Sequence, residues 1–279
     1  MNVLIIGPGL IGGSFGLMLR KADHTIAGYD ISQDHLAEAQ QLGLIDRAFS
    51  HMDAALQWAD GVILSIPVGA IKESLPKVLD IIQQHQFVID FGSTKSTICE
   101  SVAYHENRSR FLAAHPIAGT EYSGPSAAFP GLYEGKTMVM CETEKTDSDV
   151  VEIFRGWCGL GNMSLVDMTP QNHDKHLAYI SHLSHVIAFS LSNAVLEKER
   201  DDNLILELAG SGFASTVRLA KSSPEMWTSI FLENQAPLLD AIDNLLSKIE
   251  MMKDSLSNGD QEKLNRFLEE GREIRKILD

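Results

Sequence analysis

The chain has 279 residues, of which 44% are hydrophobic and 22% are charged, as is typical of a globular protein large enough for two domains. Its 38 acidic and 23 basic side chains give a formal net charge of -15. That balance argues against a nucleic-acid partner, because such binding depends on clustered Lys and Arg. No apolar run approaches the roughly 20 residues that a membrane-spanning helix needs, and the N-terminus lacks the basic start of a signal peptide. We therefore expect a cytoplasmic protein with no nucleic-acid and no membrane partner.

Short β-branched runs alternate with helical patterns up to about residue 165. This alternation is typical of a Rossmann-type doubly wound sheet with helices on both faces. From Thr169 onward the pattern is helical, interrupted at 209–224 by a Gly- and Ser-rich stretch that predicts a loop or a broken helix. The sequence thus predicts an α/β dinucleotide-binding domain over residues 1–167 and an all-α domain over residues 168–279. The predicted strands are Val3–Ile6, Thr25–Tyr29, Gly61–Ile66, Phe87–Asp90, Phe111–Ala113, Thr137–Cys141 and Ser164–Val166.

A glycine-rich turn follows the first predicted strand. Gly7, Gly9 and Gly12 fit the pattern G-x-G-x-x-G, and the residues after them open a helix. The first glycine permits the tight bend, the second lets the backbone approach a pyrophosphate, and the third lets helix and strand pack closely. The helix N-terminus, with Leu10 and Ile11, presents N–H groups to the phosphates. These five residues predict a dinucleotide site; the alternative is a glycine turn in some other α/β fold.

Asp30 ends the second predicted strand, eighteen positions after Gly12. This is close to the roughly 20-residue spacing of a carboxylate that binds the adenosine ribose. No Arg or Lys among the next four residues would neutralise a 2′-phosphate, so the sequence predicts NAD rather than NADP as cofactor. The alternative is a surface aspartate that merely ends a strand. Ser65 and Pro67 end a further strand, which predicts that their backbone lines the cofactor crevice, although proline there also fits a simple strand stop.

His115 is the candidate catalytic base among ten histidines. A dehydrogenase needs a base that takes the hydroxyl proton as hydride leaves, and imidazole titrates near neutral pH. His115 follows a strand-like run, so we expect it in the turn at the carboxyl end of that strand. Ser93 follows the preceding strand in the same way, and its hydroxyl is placed to hydrogen-bond with the base or the substrate.

Five segments occur in order along the chain: GPGLIGGS from Gly7, DFGSTK from Asp90, HPIAGTEYSG from His115, HDKHLAYISHLSH from His173 and SGFASTVRLAKSSPEMW from Ser211. Together they resemble the prephenate and arogenate dehydrogenases of tyrosine biosynthesis, over essentially the whole chain. The resemblance implies NAD-dependent oxidative decarboxylation of prephenate to 4-hydroxyphenylpyruvate. It also implies a homodimer joined through the helical domain. No fused mutase or regulatory domain is expected.

The resemblance implies roles for individual residues. His115 would be the catalytic histidine and Ser93 the assisting serine. The family's substrate-site positions fall on Arg218 for the ring carboxylate, His185 and Ser181 in the pocket, Glu121 near the pocket mouth and Trp227 at the subunit contact. Two departures occur: the family's SHLPH is SHLSH at 181–185, and an acidic position before the arginine is Ser215. The first affects the local backbone, and the second removes a candidate partner of Arg218, whose side chain we therefore expect to be held differently.

Several alternatives stay open. His173, Asp174 and His176 lie on one predicted helix, where histidines three apart can share a face and bind a metal. Without a third ligand we expect helix capping and surface solvation there, and no metal. Lys175 would be the catalytic lysine if the chain were a hydroxyacid dehydrogenase of the same two-domain plan. The remaining alternatives are arogenate in place of prephenate as substrate, and a non-catalytic NAD-sensing protein.

Overall fold

A computed structural model describes residues 1–202 and 205–277 of the chain. Within these residues the strands form one sheet in the order β3-β2-β1-β4-β5-β6-β7-β8. Neighbouring strands are parallel except for the antiparallel pair β6 and β7. This arrangement confirms the predicted Rossmann-type α/β class. The strands are β1 (Asn2–Ile6), β2 (Thr25–Tyr29), β3 (Arg47–Ala48), β4 (Gly61–Leu64), β5 (Phe87–Asp90), β6 (Phe111–Ile117), β7 (Thr137–Cys141) and β8 (Ser164–Met168).

Helices connect the strands and then continue to the end of the described chain. The stretch at 209–224 forms a short helix followed by a 3-10 turn at Arg218–Lys221, as its Gly and Ser content predicts. The helices are α1 (Leu10–Leu19), α2 (Gln33–Gln41), α3 (Met52–Trp58), α4 (Val68–Ile81), α5 (Ser96–Ser101), α6 (Ser148–Leu160), α7 (Pro170–Leu177), α8 (Leu183–Asp202), α9 (Ser211–Thr216), α10 (Pro224–Glu233), α11 (Gln235–Ser257) and α12 (Gln261–Arg272).

Alternate residues of the strands point to opposite faces of the sheet and pack into separate hydrophobic cores. In β1, Val3 and Ile5 belong to one core, whereas Leu4 and Ile6 belong to the other. Each such side chain contributes about 1.5–3 kcal/mol when it is fully buried. The first core contains an aromatic cluster around Phe15, whose ring lies between 4.8 and 6.3 Å from those of Phe91, Tyr133, Phe154 and Trp157. The two cores fix the sheet and thereby the position of its carboxyl edge.

The chain divides into two compact units, Met1–Asn234 and Gln235–Asp279. The first contains the whole sheet and the helices up to α10. The second contains α11 and α12, which carry apolar side chains that are at least half exposed: Leu239, Leu246, Ile249, Leu256 and Leu268. No helix of the described residues is long and apolar enough to cross a membrane. The functional boundary predicted between residues 167 and 168 stays a prediction.

Lys95 and Asp90 form an ion pair at the carboxyl end of β5, and both side chains are completely buried. The Lys95 ammonium contacts Oδ2 of Asp90, and the same oxygen accepts a hydrogen bond from the Gly92 amide at 2.9 Å. Breaking such a pair by removing one partner is costly, because it leaves an uncompensated charge in the interior. The pair therefore constrains residues 91–95, the loop that carries Ser93.

Replacing Lys95 with methionine leaves the Asp90 carboxylate buried and unpaired. We expect the free energy of unfolding to fall by about 3–5 kcal/mol, as measured by urea denaturation. The double variant Asp90→Asn/Lys95→Met removes both charges and is expected to regain much of that loss. A single variant as stable as the wild type would contradict this account of the loop.

Candidate active site

The glycine-rich turn lies where β1 and β4 meet, at the switch point at which a doubly wound sheet opens a ligand crevice. Gly7 has a φ of +86°, a conformation that favours glycine. A Cβ on Gly12 would lie 2.5 Å from the Gly7 carbonyl oxygen, so α1 and β1 can approach this closely only at a glycine. At Gly9 the nearest atoms to an added Cβ are 3.8 Å away, so this part of the turn has room for a ligand. The geometry fits a dinucleotide pyrophosphate.

The other predicted cofactor residues lie around this turn. Ser65 donates a hydrogen bond from Oγ to the Gly7 carbonyl at 2.7 Å, so its side chain supports the turn in addition to the predicted backbone contact. Asp30 is partly exposed directly after β2, and its Oδ1 accepts the Ser32 amide at 2.8 Å. Pro67 is exposed and immediately precedes α4. Their roles toward a cofactor stay predictions.

His115 lies inside a strand, which corrects the prediction that it occupies the turn after one. β6 continues to Ile117, and His115 is paired with Val139 of the antiparallel strand β7. The ladder with β7 extends β6 beyond the point where its apolar run stops. In the parallel ladder with β5, Asp90 is opposite Ala113. Because the ladder between β5 and β6 ends at this pair, His115 and the partly exposed Ser93 both lie just beyond it, at the same edge of the sheet.

His115 begins a row of hydrogen-bonded side chains that we call the histidine relay: His115, His173 and Asp174. Nδ1 of His115 lies 2.8 Å from Nε2 of His173, and Nδ1 of His173 lies 2.8 Å from Oδ1 of Asp174. The Asp174 carboxylate also accepts the backbone amides of Lys95 at 2.7 Å and Ser96 at 2.8 Å. The relay therefore links the candidate base to helix α7 and to the loop after β5.

The expectation of surface solvation for His173 and Asp174 is wrong, since the two residues are 0% and 1% exposed. The expected capping holds for Asp174, which accepts the two amides at the start of α5. His176, unlike these two residues, is exposed. One turn later on the same helical face lie Leu177 and Ala178, which are also buried. This apolar pair was the signal in the sequence that His173 and Asp174 face the interior. Among the residues that the structure describes, no group of three His, Cys, Asp or Glu side chains is arranged to bind a metal ion.

Burial determines the protonation of the relay. It lowers the pKa of His115 well below 6.5, and the electrostatic effects of His173 and then of the Lys95 ammonium lower it further. Burial raises the pKa of the Asp174 carboxyl, but hydrogen bonds from His173 and from two backbone amides outweigh it, so that this pKa lies below its ordinary value. At neutral pH the relay consists of neutral imidazoles and a carboxylate, and His115 is able to accept a proton.

Arg218 and Glu121 form an ion pair, with Nη1 of the arginine 3.0 Å from Oε2 of the glutamate. The arginine side chain is 52% exposed. In this chain, where position 215 is a serine, Glu121 is the carboxylate that pairs with Arg218. A guanidinium carries several N–H donors in a planar fork, so one bond to Glu121 leaves others for a second carboxylate.

His185 stacks on the Trp227 ring, with centroids 3.4 Å apart and planes inclined by 23°. Its Nδ1 is 3.0 Å from the Ser181 carbonyl, which can only accept a hydrogen bond, so the lone pair lies on Nε2. Trp227 is buried inside the first unit, and its role at a subunit contact stays a prediction. A π-helical turn at Ala178–His182 precedes α8, and such turns frequently mark functional sites. Ser184, in place of the family's proline, is accommodated at the start of α8.

The histidines of the relay, His182, His185 and Arg218 lie close enough to influence one another electrostatically. Burial lowers the pKa of His185; the Ser181 carbonyl raises it, and the charge of Arg218 lowers it again. His182, in the π-helical turn, is close enough to act electrostatically on both His115 and His185. The row of side chains from the relay to Arg218 thus lies within the unit Met1–Asn234.

Two family models match the chain. The model described as "Prephenate dehydrogenase, nucleotide-binding domain" matches residues 15–162, and the one described as "Prephenate dehydrogenase, dimerization domain" matches residues 169–270. The prephenate dehydrogenase of Bacillus subtilis (strain 168) is 31% identical over 281 residues, which is 99% of this chain and 76% of that protein. The chain belongs to the prephenate dehydrogenase family. Family members are dehydrogenases, and the alternative of a non-catalytic sensor is therefore set aside.

Solved structures of the family agree with this assignment. Prephenate dehydrogenase from A. aeolicus, in complex with hydroxyphenyl propionate and NAD+, has a TM-score of 0.92 and 32% identity, covering 100% of this chain and 98% of that one. Synechocystis arogenate dehydrogenase has a TM-score of 0.80 and 29% identity, covering 100% of both chains.

Lys175, the basis of the hydroxyacid dehydrogenase alternative, is exposed on α7 beside the buried His173 and Asp174.

The requirement for glycine at position 12 can be tested by comparing the melting temperatures of variants. Gly12→Ala forces a Cβ against the Gly7 carbonyl and is expected to lower the melting temperature, because backbone must move. Gly156→Ala is the matched control, since an added Cβ there meets nothing within 4 Å. In the interior of helix α6 this control is expected to stabilise by about 0.5–1 kcal/mol. Equal melting temperatures for the two variants would contradict the packing argument.

Proposed function

We propose that the protein catalyses the NAD-dependent oxidative decarboxylation of prephenate to 4-hydroxyphenylpyruvate, a reaction of tyrosine biosynthesis. The observation that carries the proposal is the histidine relay, which ends in a neutral imidazole at the edge of the sheet where the glycine turn opens. Ligands of such sheets bind at the carboxyl ends of the strands. A base at this edge takes the proton of a substrate hydroxyl, and a nicotinamide cofactor at the same edge takes the hydride from the carbon that bears this hydroxyl.

His115 is the general base in this reaction. It accepts the proton of the ring C4 hydroxyl, and bound NAD accepts the hydride from the same carbon. Loss of the ring carboxylate as carbon dioxide leaves its electron pair in the ring, which becomes aromatic, and His115 returns its proton to the resulting phenolate oxygen. The Ser93 hydroxyl assists by donating or accepting a hydrogen bond with His115 or with the substrate. Aromatisation and release of carbon dioxide make the reaction effectively irreversible.

Arg218 binds a carboxylate of the substrate through the N–H groups that Glu121 leaves free. This local cation is needed, since the chain has a formal net charge of -15 and prephenate carries two carboxylates. His185 offers the lone pair of Nε2 to a substrate hydrogen-bond donor, and Ser181 fixes the tautomer of His185 through its carbonyl. Trp227 supports the His185 ring by stacking.

NAD fits the glycine turn described above, because Gly12 allows the close packing of α1 and Gly9 leaves room for the pyrophosphate. Asp30 is the group that would accept hydrogen bonds from the adenosine ribose, and its charge disfavours the 2′-phosphate of NADP. The residues that would hold or border the cofactor are Gly7, Gly9, Leu10, Ile11, Gly12, Asp30, Ser65 and Pro67.

We also infer that residues 1–167 bind the cofactor and that residues 168–279 complete the substrate site and join two copies in a homodimer. The exposed apolar side chains of α11 and α12 support a self-complementary contact that would bury them. A cytoplasmic location is supported by three free, buried thiols, which suit a reducing compartment: Cys99, Cys141 and Cys158.

The role of His115 is tested by His115→Asn. We expect kcat to fall by about 10²–10⁴, the usual contribution of general acid–base catalysis, with the Kd of NAD unchanged. NADH formation is followed with prephenate and, separately, with arogenate. Wild-type protein inactive with both substrates would overturn the proposed function, and a clear preference for arogenate would reassign it to arogenate dehydrogenase.

Cofactor choice is tested by Asp30→Ser/Ile31→Arg, which removes the carboxylate and adds a cation beside it. A charge contact of this kind is worth about 1–4 kcal/mol, so the preference for NAD over NADP is expected to fall roughly 5- to 1,000-fold in kcat/KM. Asp34→Ser, at an exposed aspartate of α2, is the control and should leave the ratio unchanged. A wild-type enzyme that prefers NADP would contradict the role of Asp30.

A further inference from the structure

We propose that Asp174 and His173 are positioning residues that fix His115 in the tautomer a proton acceptor needs, with Nδ1 protonated and Nε2 free. The role of this tautomer in catalysis rests on the proposed function. The tautomer itself follows from the hydrogen bonds of the relay and is independent of any substrate.

The Asp174 carboxylate determines the orientation of the first imidazole. Its Oδ1 accepts the Lys95 amide at 2.7 Å, and its Oδ2 accepts the Ser96 amide at 2.8 Å. Since a backbone amide can only donate, both oxygens are acceptors. These hydrogen bonds outweigh the effect of burial and hold the pKa of the Asp174 carboxyl below its ordinary value, so the group is a carboxylate at neutral pH. Nδ1 of His173, 2.8 Å from Oδ1, must therefore carry a hydrogen.

The proton on His173 then determines the tautomer of His115. A neutral imidazole has one N–H, so Nε2 of His173 carries a lone pair when Nδ1 is protonated. That Nε2 lies 2.8 Å from Nδ1 of His115, which consequently is the protonated nitrogen of His115. The remaining nitrogen, Nε2, has the lone pair that accepts a proton. When it does so, the positive charge is stabilised through His173 by the buried carboxylate.

The other charged and titratable groups around the relay do not compete for it. The Lys95 ammonium is paired with Asp90. The Asn234 amide donates from Nδ2 to the Asp174 backbone carbonyl at 2.8 Å and lies 3.0 Å from Nδ1 of His182, which is therefore an acceptor. Burial lowers the pKa of His182 to about 4, so this ring is neutral as well. The carboxylate of Asp174 is thus directed to His173.

Substitutions at His173 separate positioning from a purely structural role. His173→Leu removes the acceptor for Nδ1 of His115, and we expect kcat to fall by about 10²-fold, less than the largest loss expected for His115→Asn. KM for prephenate and the Kd of NAD are expected to change little. His173→Gln retains a side-chain oxygen that can accept the hydrogen bond and should regain part of kcat. His176→Leu, at the exposed histidine of the same helix, is the matched control.

The tautomer is read from imidazole ¹⁵N spectra of the full-length wild-type protein at neutral pH, with the His115 signals assigned by their loss in His115→Asn. We expect Nδ1 of His115 protonated and Nε2 unprotonated, and an Nε2-protonated form in His173→Leu. Protonation at Nε2 in the wild type, or a kcat unchanged by His173→Leu, would overturn the proposal. Because the spectra require no substrate, a wild type inactive toward prephenate would overturn the proposed function separately.

Discussion

The Asp174 carboxylate joins parts of the molecule that are far apart in the sequence. It accepts the backbone amides of Lys95 and Ser96 at the start of α5, where the helix has no capping side chain of its own. Amides at a helix N-terminus lack partners within the helix, and an anion there is stabilised by the helix dipole. One buried side chain on α7 therefore caps α5, fixes α7 against the sheet and orients His173.

The loop between β5 and α5 depends on a second buried charge. Burial raises the pKa of the Asp90 carboxyl, while Lys95 and the Gly92 amide counteract that effect. Lys95 thus uses its side chain toward Asp90 and its backbone amide toward Asp174. The loop that carries Ser93 is consequently fixed at both ends by carboxylates, and the hydroxyl is placed by the same contacts that place the base.

Local patterns predict most of the fold. Strands β2, β5 and β7 have the predicted bounds, because each is an apolar run whose limits are set by neighbouring turn residues. The strand residues that local patterns do not predict depend on pairing between segments that are distant in the sequence. The two-residue strand β3 exists through its ladder with β2, and the extension of β6 past Ala113 depends on β7. The motifs locate the glycine turn, His115 and Arg218, but helical periodicity alone does not say that His173 and Asp174 face a polar partner in the interior.

The Arg218–Glu121 ion pair has a consequence for how an anion reaches the site. The pair is accessible to solvent and contributes little to stability, so its main effect is to hold the guanidinium while the remaining N–H groups stay open to a second carboxylate. In the unliganded protein the pair is locally neutral, and the whole chain is strongly negative. The net negative charge of the chain therefore repels a dianionic substrate at long range. Added salt screens this repulsion and favours the encounter. Capture of the substrate depends on contacts made inside the pocket.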